Sequence, residues 1–317
     1  MSGEPLEDTT GWDARSHGGY FGHWFFAQLM RLGPGFAEAF LYPVVTFYLL
    51  VARSERRASE QYLTRVLGPT HLLGRWVRSW RHLMAFARAY LDGAMVGVRG
   101  PGLFSFEHHG AEHLRGIAES GQGAVLLTAH LGTWELSSAM LKDAQGISRV
   151  ALVMFRSDAE ALQRFIESMH GRRPRVITVG EGDLSSLEIL RAVREGELVA
   201  MQGDRTVDTR DVRVPFFGRD ARWPVGPWIV AAISGAPILL TFALRVGHRR
   251  YAFYADPPRT VRFAPGRSKD EQLKEWIGAY VARVEQTLRA HPYQWFNFFD
   301  FWAAEPKVPV APPTSGQ

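Results

Sequence analysis

The sequence predicts an α/β fold, a mostly parallel central sheet flanked by helices, with an N-terminal helical membrane-associating segment. After residue 100, short apolar runs alternate with helical patterns, which is typical of a parallel sheet covered by helices. Before residue 100, aromatic and apolar stretches carry helical patterns instead. With 46% hydrophobic and 22% charged residues among 317, the chain can bury the core of one large or two modest domains.

The order of elements predicts four parts: a polar tail (1–19), a helical segment (20–100), an α/β domain (101–303) and a proline-rich tail (304–317). The predicted strands are residues 103–106, 124–129, 149–155, 175–179, 198–202, 212–217, 238–244 and 251–254. The predicted helices of the α/β domain include one from Thr133 onward and residues 158–169, 184–194 and 228–234.

The N-terminal segment is predicted to lie on a membrane. Residues 40–51 are apolar, but they contain Pro43 and are shorter than the roughly 20 residues that a spanning helix needs. The flanking arginines, which suit anionic headgroups, are Arg31, Arg53, Arg56 and Arg57. We therefore expect a helix at or dipping into one leaflet, and a buried helix of the soluble core is the alternative.

Two further helices are predicted at residues 59–67 and 71–91, separated by Gly68 and Pro69. The second interleaves arginine with Trp76 and Trp80, a pattern that also occurs in nucleic-acid-binding proteins. Because no nucleic-acid motif accompanies it, we expect a membrane-facing or solvated helix and no nucleic-acid partner.

The run at residues 124–129 organises the candidate site. It predicts a strand covered on both faces, and His130 follows directly at its carboxyl end, where open α/β sheets bind ligands. A neutral imidazole can take a proton from an alcohol when a second group holds its ring, and Glu135 is the candidate for that group. Gly132 permits the turn that this requires. A purely structural His–Glu pair is the alternative.

Other polar residues also follow predicted strands. Arg156 comes after the strand ending at Phe155, and Asp204 and Arg205 come after residues 198–202. The carboxyl ends of parallel strands meet at one edge, so we expect these side chains to converge with His130 on one crevice. Two stiff apolar loops at residues 214–218 and 223–227 precede the helix at 228–234.

Several other chemistries lack support in the sequence. The chain has no cysteine, which excludes disulfides and thiolate chemistry. His109 and His113, four apart on a predicted helix start, have no third ligand at a recognisable spacing, so no metal site is expected. The stretch Gly180-Glu181-Gly182 lacks the third glycine of a dinucleotide loop, and no Gly-x-Ser-x-Gly elbow occurs. We expect no cofactor.

Charge and the first residues bear on partners and compartment. Lys and Arg total 37 against 32 Asp and Glu, a moderate excess that suits phospholipid headgroups, a phosphorylated substrate or an acidic carrier protein. Residues 1–11 are acidic and polar, unlike a signal peptide, so the body is expected to stay cytosolic.

The sequence blocks together resemble the lysophospholipid acyltransferase superfamily, and within it the bacterial lipid A biosynthesis (lauroyl and myristoyl) acyltransferases. The stretch from Ala129 to Glu135 resembles the family's His-x-x-x-x-Asp/Glu block. The other similar blocks are Phe155-Arg156-Ser157, Asp204 followed by residues 214–218, and residues 234–238. The likeness spans roughly residues 103–302. Residues 222–226, in place of a threonine-rich stretch, and the aromatic ending at 291–302 look like divergent members associated with aryl polyene lipids.

The resemblance implies a glycerolipid-acyltransferase-like fold and acyl transfer from a thioester, acyl carrier protein or acyl-CoA, to a hydroxyl of a membrane lipid or glycolipid such as a lipid A precursor. His130 would act as the base and Glu135 would orient its ring. Arg156 and Arg205 would bind phosphate or the developing oxyanion, and Asp204 would position Arg205 or the acceptor. The residues expected to line the acyl slot are Trp134, Phe216, Phe217 and Trp223, and Gly218 is a further expected substrate-binding residue.

The resemblance further implies a peripheral or monotopic protein on the cytoplasmic face of the bacterial inner membrane. The basic stretches at residues 172–175 and 245–250 are candidates for docking an acidic carrier or headgroups. A hydrolase that uses water at the same dyad and a non-catalytic lipid-binding scaffold are the alternatives.

Overall fold

The computed structural model describes residues 33–133, 136, 149–155, 175–179, 185–206 and 210–303. The predicted tails at 1–19 and 304–317, the predicted helix at 158–169 and the basic residues 172–174 lie outside the described residues.

The described chain alternates helices and strands as the sequence predicts. The helices are α1 (Pro34–Val51), α2 (Arg53–Leu67), α3 (Leu72–Arg99), α4 (Ala111–Ser120), α5 (Ser185–Arg194), α6 (Gly226–Ser234) and α7 (Lys269–Ala290). The strands are β1 (Ser105–His109), β2 (Ala124–Thr128), β3 (Val150–Phe155), β4 (Arg175–Val179), β5 (Leu198–Gln202), β6 (Asp211–Phe216), β7 (Arg219–Pro224), β8 (Ile238–Gly247) and β9 (Arg250–Ala255).

Seven strands form one mostly parallel sheet, which confirms the predicted fold class. Their order is β1-β9-β8-β2-β5-β3-β4, and among the described strand pairs of this sheet only β8 with β9 is antiparallel. The central strand β2 has four fully buried residues in succession, since helices cover both faces of the sheet. The carboxyl ends of β2 and β5 therefore lie side by side near the middle of the sheet.

Two details of the sequence-based assignment are wrong. His109 ends β1 and His113 lies in α4, so the two do not share one helix, because Gly110 between them adopts a left-handed turn. The strand predicted at residues 212–217 is present as β6, but the apolar loop predicted from Trp223 is wrong at its start: Trp223 and Pro224 end a second strand, β7, which forms a hairpin with β6 outside the main sheet. Pro215 and Pro224 suggested loops, but a two-stranded ribbon consists of edge strands, where proline is tolerated.

The N-terminal helices pack beside the sheet as a separate layer. One stripe of α1, which includes Leu41 and Val45, is buried against α3, while Phe47 and Leu50 on its other faces are more than half exposed. Within the described residues, α1 is the one helix long and apolar enough to cross a membrane. At 1.5 Å per residue its 18 residues span about 27 Å.

A buried ion pair fastens α3 to the sheet. Asp92 of α3 accepts hydrogen bonds from the Tyr251 hydroxyl of β9 and from Nε of Arg245 of β8. Burial raises the pKa of Asp92, and Tyr251 and Arg245 oppose that rise. Arg245, one of the residues expected to dock a carrier, is thus engaged inside the protein.

His82 joins α2, α3 and the residues after α7. Its Nε2 lies 2.7 Å from the Trp295 carbonyl oxygen and its Nδ1 lies 2.9 Å from the Ser59 hydroxyl. A carbonyl only accepts, so Nε2 carries the proton and Nδ1 accepts from Ser59. Burial lowers the pKa of His82 to about 4, against the Trp295 hydrogen bond, which raises it.

We expect His82 to make folding stability depend on pH. Between about pH 4 and 6.5 the unfolded chain binds a proton here that the folded chain does not, so stability rises with pH across this window. The full effect is about 3 kcal/mol. Urea unfolding at pH 4.5 and 7 should show a larger stability difference in the wild type than in His82→Gln. The control His109→Gln, at an exposed side chain of β1, should match the wild type.

Candidate active site

The strand register brings His130 and Asp204 together. In the parallel pair of β2 and β5, Thr128 lies opposite Gln202. His130 and Asp204 each follow two residues later, so the two side chains lie at the same level beyond the carboxyl ends of adjacent strands. His130, Asp204 and Arg205 therefore lie close together at one edge of the sheet.

The Asp204 carboxylate is the centre of the site. It is fully buried, and its Oδ1 accepts a hydrogen bond from Nδ1 of His130 at 2.7 Å. Its other oxygen, Oδ2, accepts from the His130 backbone N–H at 2.9 Å, from Trp295 Nε1 at 2.9 Å and from Asn297 Nδ2 at 2.7 Å. Four donors therefore hold this carboxylate in one orientation.

The groups around Asp204 determine whether its carboxyl is ionised. Burial alone raises the pKa of Asp204, but His130, Arg205 and the hydrogen bonds from His130 outweigh burial and lower it to about 2. Asp204 is therefore ionised at neutral pH and only accepts hydrogen bonds. Neutral His130 must then carry its proton on Nδ1, which assigns Nε2 as the nitrogen that accepts a proton.

A close approach of two backbones fixes the loop after His130. Gly132 has φ of +73°, and a Cβ at this position would lie 1.9 Å from the Ala243 carbonyl oxygen of β8. The predicted turn at Gly132 is confirmed. The loop is also tied down by Thr133, whose N–H donates to the same carbonyl.

Residues 294–297, which we call the C-terminal strap, run along the His130 loop. The Phe296 N–H donates to the His130 carbonyl at 2.7 Å, and the Gly132 N–H donates to the Gln294 carbonyl at 2.8 Å. Trp295 pairs with Leu131 as an isolated antiparallel bridge. The strap therefore holds the backbone of the His130 loop and, through Trp295 and Asn297, the carboxylate partner as well.

Arg205 also contacts the strap. Its Nε donates to Asn297 Oδ1 at 2.8 Å, its Nη2 donates to the Phe296 carbonyl at 3.3 Å, and its guanidinium lies 5.8 Å from the Phe299 ring centre. These contacts fix one side of the guanidinium near the dyad. Its predicted contact with substrate phosphate or the oxyanion stays a prediction.

The described residues expected to bind the acyl chain, Phe216, Phe217, Gly218 and Trp223, lie in two different settings. Phe216 and Trp223 are fully buried and pack in a cluster with Trp295 and Phe301. Phe217 and Gly218 form the two-residue turn between β6 and β7, both with positive φ, and Phe217 is partly exposed. Contact of any of them with an acyl chain stays a prediction.

Three predicted site residues, Trp134, Glu135 and Arg156, lie outside the described residues. The position beside Nδ1 of His130, which the sequence analysis gave to Glu135, is taken by Asp204. Among the described residues, no group of three His, Cys, Asp or Glu side chains is placed to hold a metal ion.

Trp295 and Asn297 are site residues that sequence reasoning missed. They come from a loop about 90 residues after Asp204, where no periodic pattern marks them. The available signal was that residues 291–302 are rich in aromatic side chains and also carry N–H donors, the Trp295 indole and the Asn297 amide. Such donors need acceptors when they are buried.

The protein has an α/β sheet, and at the carboxyl edge of this sheet a carboxylate binds an imidazole. This arrangement defines a class of proteins that can take a proton from a bound molecule. A family model described as bacterial lipid A biosynthesis acyltransferase matches residues 86–303. The match covers more than half of the chain, so this protein belongs to that family, and the resemblance found in the sequence is confirmed.

Two mycobacterial proteins are similar to this chain. The phosphatidylinositol mannoside acyltransferase of Mycobacterium tuberculosis (strain H37Rv) is 28% identical over 198 residues, which is 62% of this chain and 60% of that protein. The protein of the same name from Mycolicibacterium smegmatis is 26% identical over 168 residues, 52% of each chain. The chain thus matches between about half and three fifths of the length of these relatives.

We expect Gly132→Ala to destabilise the protein, since an added Cβ strains the positive φ and collides with the backbone of β8. The loss should exceed about 1 kcal/mol in urea unfolding. Gly116→Ala is the matched control: Gly116 is exposed in α4, nothing lies within 4 Å of its added Cβ, and alanine there should stabilise by about 0.5–1 kcal/mol. Equal effects of the two substitutions would contradict the tight approach at Gly132.

Proposed function

We propose that this protein transfers an acyl group from a thioester donor to a hydroxyl of a membrane lipid or glycolipid. The observation that carries the proposal is the pair of partly exposed His130 and buried, ionised Asp204 in a chain of the lipid A acyltransferase family. Such a pair is a general base, which is what a hydroxyl nucleophile needs.

In the proposed reaction, Asp204 holds Nδ1–H of His130, and Nε2 takes the proton from the acceptor hydroxyl. The hydroxyl oxygen attacks the thioester carbonyl carbon, the C–S bond breaks, and the thiolate leaves with the proton returned by the imidazolium. An ester and a free thiol are formed. No covalent acyl-enzyme is needed, because the substrate itself supplies the nucleophile.

The sequence-based site completes the proposal. Arg156 and Arg205 would bind an acceptor phosphate or the oxyanion that develops on the carbonyl. The apolar residues Trp134, Phe216, Phe217 and Trp223 would line the acyl slot, with Gly218 at its turn. Glu135 stays a second candidate for supporting His130 or the loop that follows it.

The acceptor and donor are named by class. Relatives called phosphatidylinositol mannoside acyltransferases support a glycolipid with an anionic headgroup, as does the family description, which names lipid A. For the donor we favour acyl carrier protein over acyl-CoA, because the net positive charge of the chain suits an acidic carrier.

The membrane surface is the proposed location, on the cytoplasmic face of the inner membrane. The support is the exposed apolar residues of α1 and of the start of α3, which lies antiparallel to α1. They include Phe47, Leu50, Val51, Leu72 and Leu73. Arg53 and Arg75, both exposed, lie beside these apolar side chains in the chain and suit anionic headgroups.

Replacement of either dyad residue should abolish most activity. His130→Ala removes the base and Asp204→Asn removes the charge that fixes its tautomer, so each should lower the rate of acyl transfer about 10²- to 10⁴-fold. The measurement is ester formation from an acyl thioester and a glycolipid acceptor, with circular dichroism to confirm the fold.

Glu135→Gln separates the two candidate carboxylates. We expect it to reduce the rate less than Asp204→Asn does, since Asp204 occupies the Nδ1 side of His130. The opposite order would return the orienting role to Glu135. Unchanged transfer by His130→Ala would refute the proposed function, and release of free fatty acid whether or not an acceptor alcohol is present would identify a hydrolase instead.

Membrane binding should depend on the exposed face of α1. Phe47→Ser combined with Leu50→Ser removes two large apolar side chains, each more than half exposed, and should weaken binding to vesicles containing anionic phospholipid by about 10-fold or more. Leu187→Ser on α5, at a side chain that is 62% exposed, is the matched control and should bind as the wild type does. Equal binding by all three proteins would rule out α1 as the docking face.

A further inference from the structure

We propose that Trp295 and Asn297 of the C-terminal strap are positioning residues for the dyad, which orient the Asp204 carboxylate toward His130. The inference rests on the proposed function, because it concerns how the same base is held. Neither residue contacts the reacting atoms in this scheme. Both act through the carboxylate.

Asn297 is fixed at both ends of its amide group. Its Nδ2 donates to Asp204 Oδ2 at 2.7 Å, and its Oδ1 accepts from Arg205 Nε at 2.8 Å. Because Arg205 can only donate, the amide has a single allowed orientation, with its N–H toward the carboxylate. Asn297 is 1% exposed, so water does not compete for this position.

Trp295 supplies the second donor from a rigid setting. Its Nε1 donates to Asp204 Oδ2 at 2.9 Å, and its ring packs fully buried at 4.8 Å from both Tyr62 and Phe301. Its backbone carbonyl accepts from His82 of α3. Trp295 therefore binds the N-terminal helices through its backbone carbonyl and the Asp204 carboxylate through its indole N–H.

Both donors bind Oδ2, which leaves Oδ1 directed at His130 Nδ1. Without them a buried carboxylate would lose two charge-assisted hydrogen bonds and gain freedom to rotate. The charged and titratable groups facing Asp204 are His130 after β2, Arg205 after β5 and Tyr280 on α7. Removal of the Trp295 N–H leaves the described partners of these three groups in place, so its effect falls on the carboxylate itself. Removal of Asn297 also takes away the acceptor of Arg205 Nε.

Loss of a hydrogen-bond donor to Asp204 should change the pH profile of the reaction, whereas loss of packing alone should not. A carboxylate with fewer donors binds a proton, or an imidazolium, more strongly, so the proton affinity of the coupled pair increases. The acidic limb of the pH profile of kcat/KM should therefore move to higher pH. In Trp295→Phe the effect on kcat should exceed that on KM, since Trp295 holds no residue that is proposed to bind substrate, whereas Asn297 also holds Arg205.

The test compares Asn297→Leu, which keeps the branched shape and the number of side-chain heavy atoms, and Trp295→Phe, which keeps an aromatic ring. Each should lower kcat about 10- to 100-fold, the range of one hydrogen bond to a charged group, and shift the acidic limb upward by about one pH unit. Trp302→Phe is the matched control. Trp302 belongs to the same aromatic cluster, but its Nε1 donates to the Phe216 carbonyl at 3.1 Å and not to Asp204. It should keep both the wild-type kcat and the wild-type acidic limb.

Each outcome decides one of the two claims. Activity retained by His130→Ala and Asp204→Asn would remove the proposed function itself. If those variants are inactive while Asn297→Leu and Trp295→Phe keep the wild-type kcat and acidic limb, only the positioning role is overturned. Equal losses in Trp302→Phe would also overturn it, because packing alone would then explain them. Thermal unfolding is followed for every variant, and Asn297→Ser serves as a second, smaller replacement if Asn297→Leu does not fold.

Discussion

The candidate site depends on one buried negative charge. Asp204 has no exposed surface, and an ion in such a place is stable only when donors compensate for the water it has lost. Four donors do so: two from His130, one from Trp295 and one from Asn297. They come from two distant parts of the chain, the His130 loop and the strap, and Asp204 itself follows β5. The requirement to satisfy one carboxylate therefore specifies how these three parts meet.

The sheet explains why this charge lies where it does. Strands β2 and β5 run parallel in register, so residues at equal distances beyond their ends are neighbours. Gly132 allows the chain to turn against β8, where any side chain would meet backbone. The N-terminal helices are connected to the same point, because His82 of α3 contacts the Trp295 carbonyl. The N-terminal helical layer and the His130–Asp204 pair are thus joined through a few buried hydrogen bonds.

Much of this arrangement could be predicted from the sequence, and the failures have physical reasons. Apolar runs such as residues 124–129 identify buried strands, and the residue that follows each strand falls at the binding edge. The choice between Glu135 and Asp204 as the partner at His130 Nδ1 required register, which local patterns do not contain. The roles of Trp295 and Asn297 depend on contacts across about 90 residues. Strand β7 and its pairing with β6 were missed because Pro224 suggested a loop, although proline is tolerated in an edge strand.

The position of the strap in the chain has a consequence for synthesis. The imidazole and its carboxylate are translated long before residues 295–297, which complete the hydrogen bonds around that charge. A ribosome-bound or shortened chain that ends before them contains His130 and Asp204 but not the two strap donors that bind the Asp204 carboxylate. The order of translation therefore leaves this buried charge without half of its described donors until nearly the whole domain has emerged.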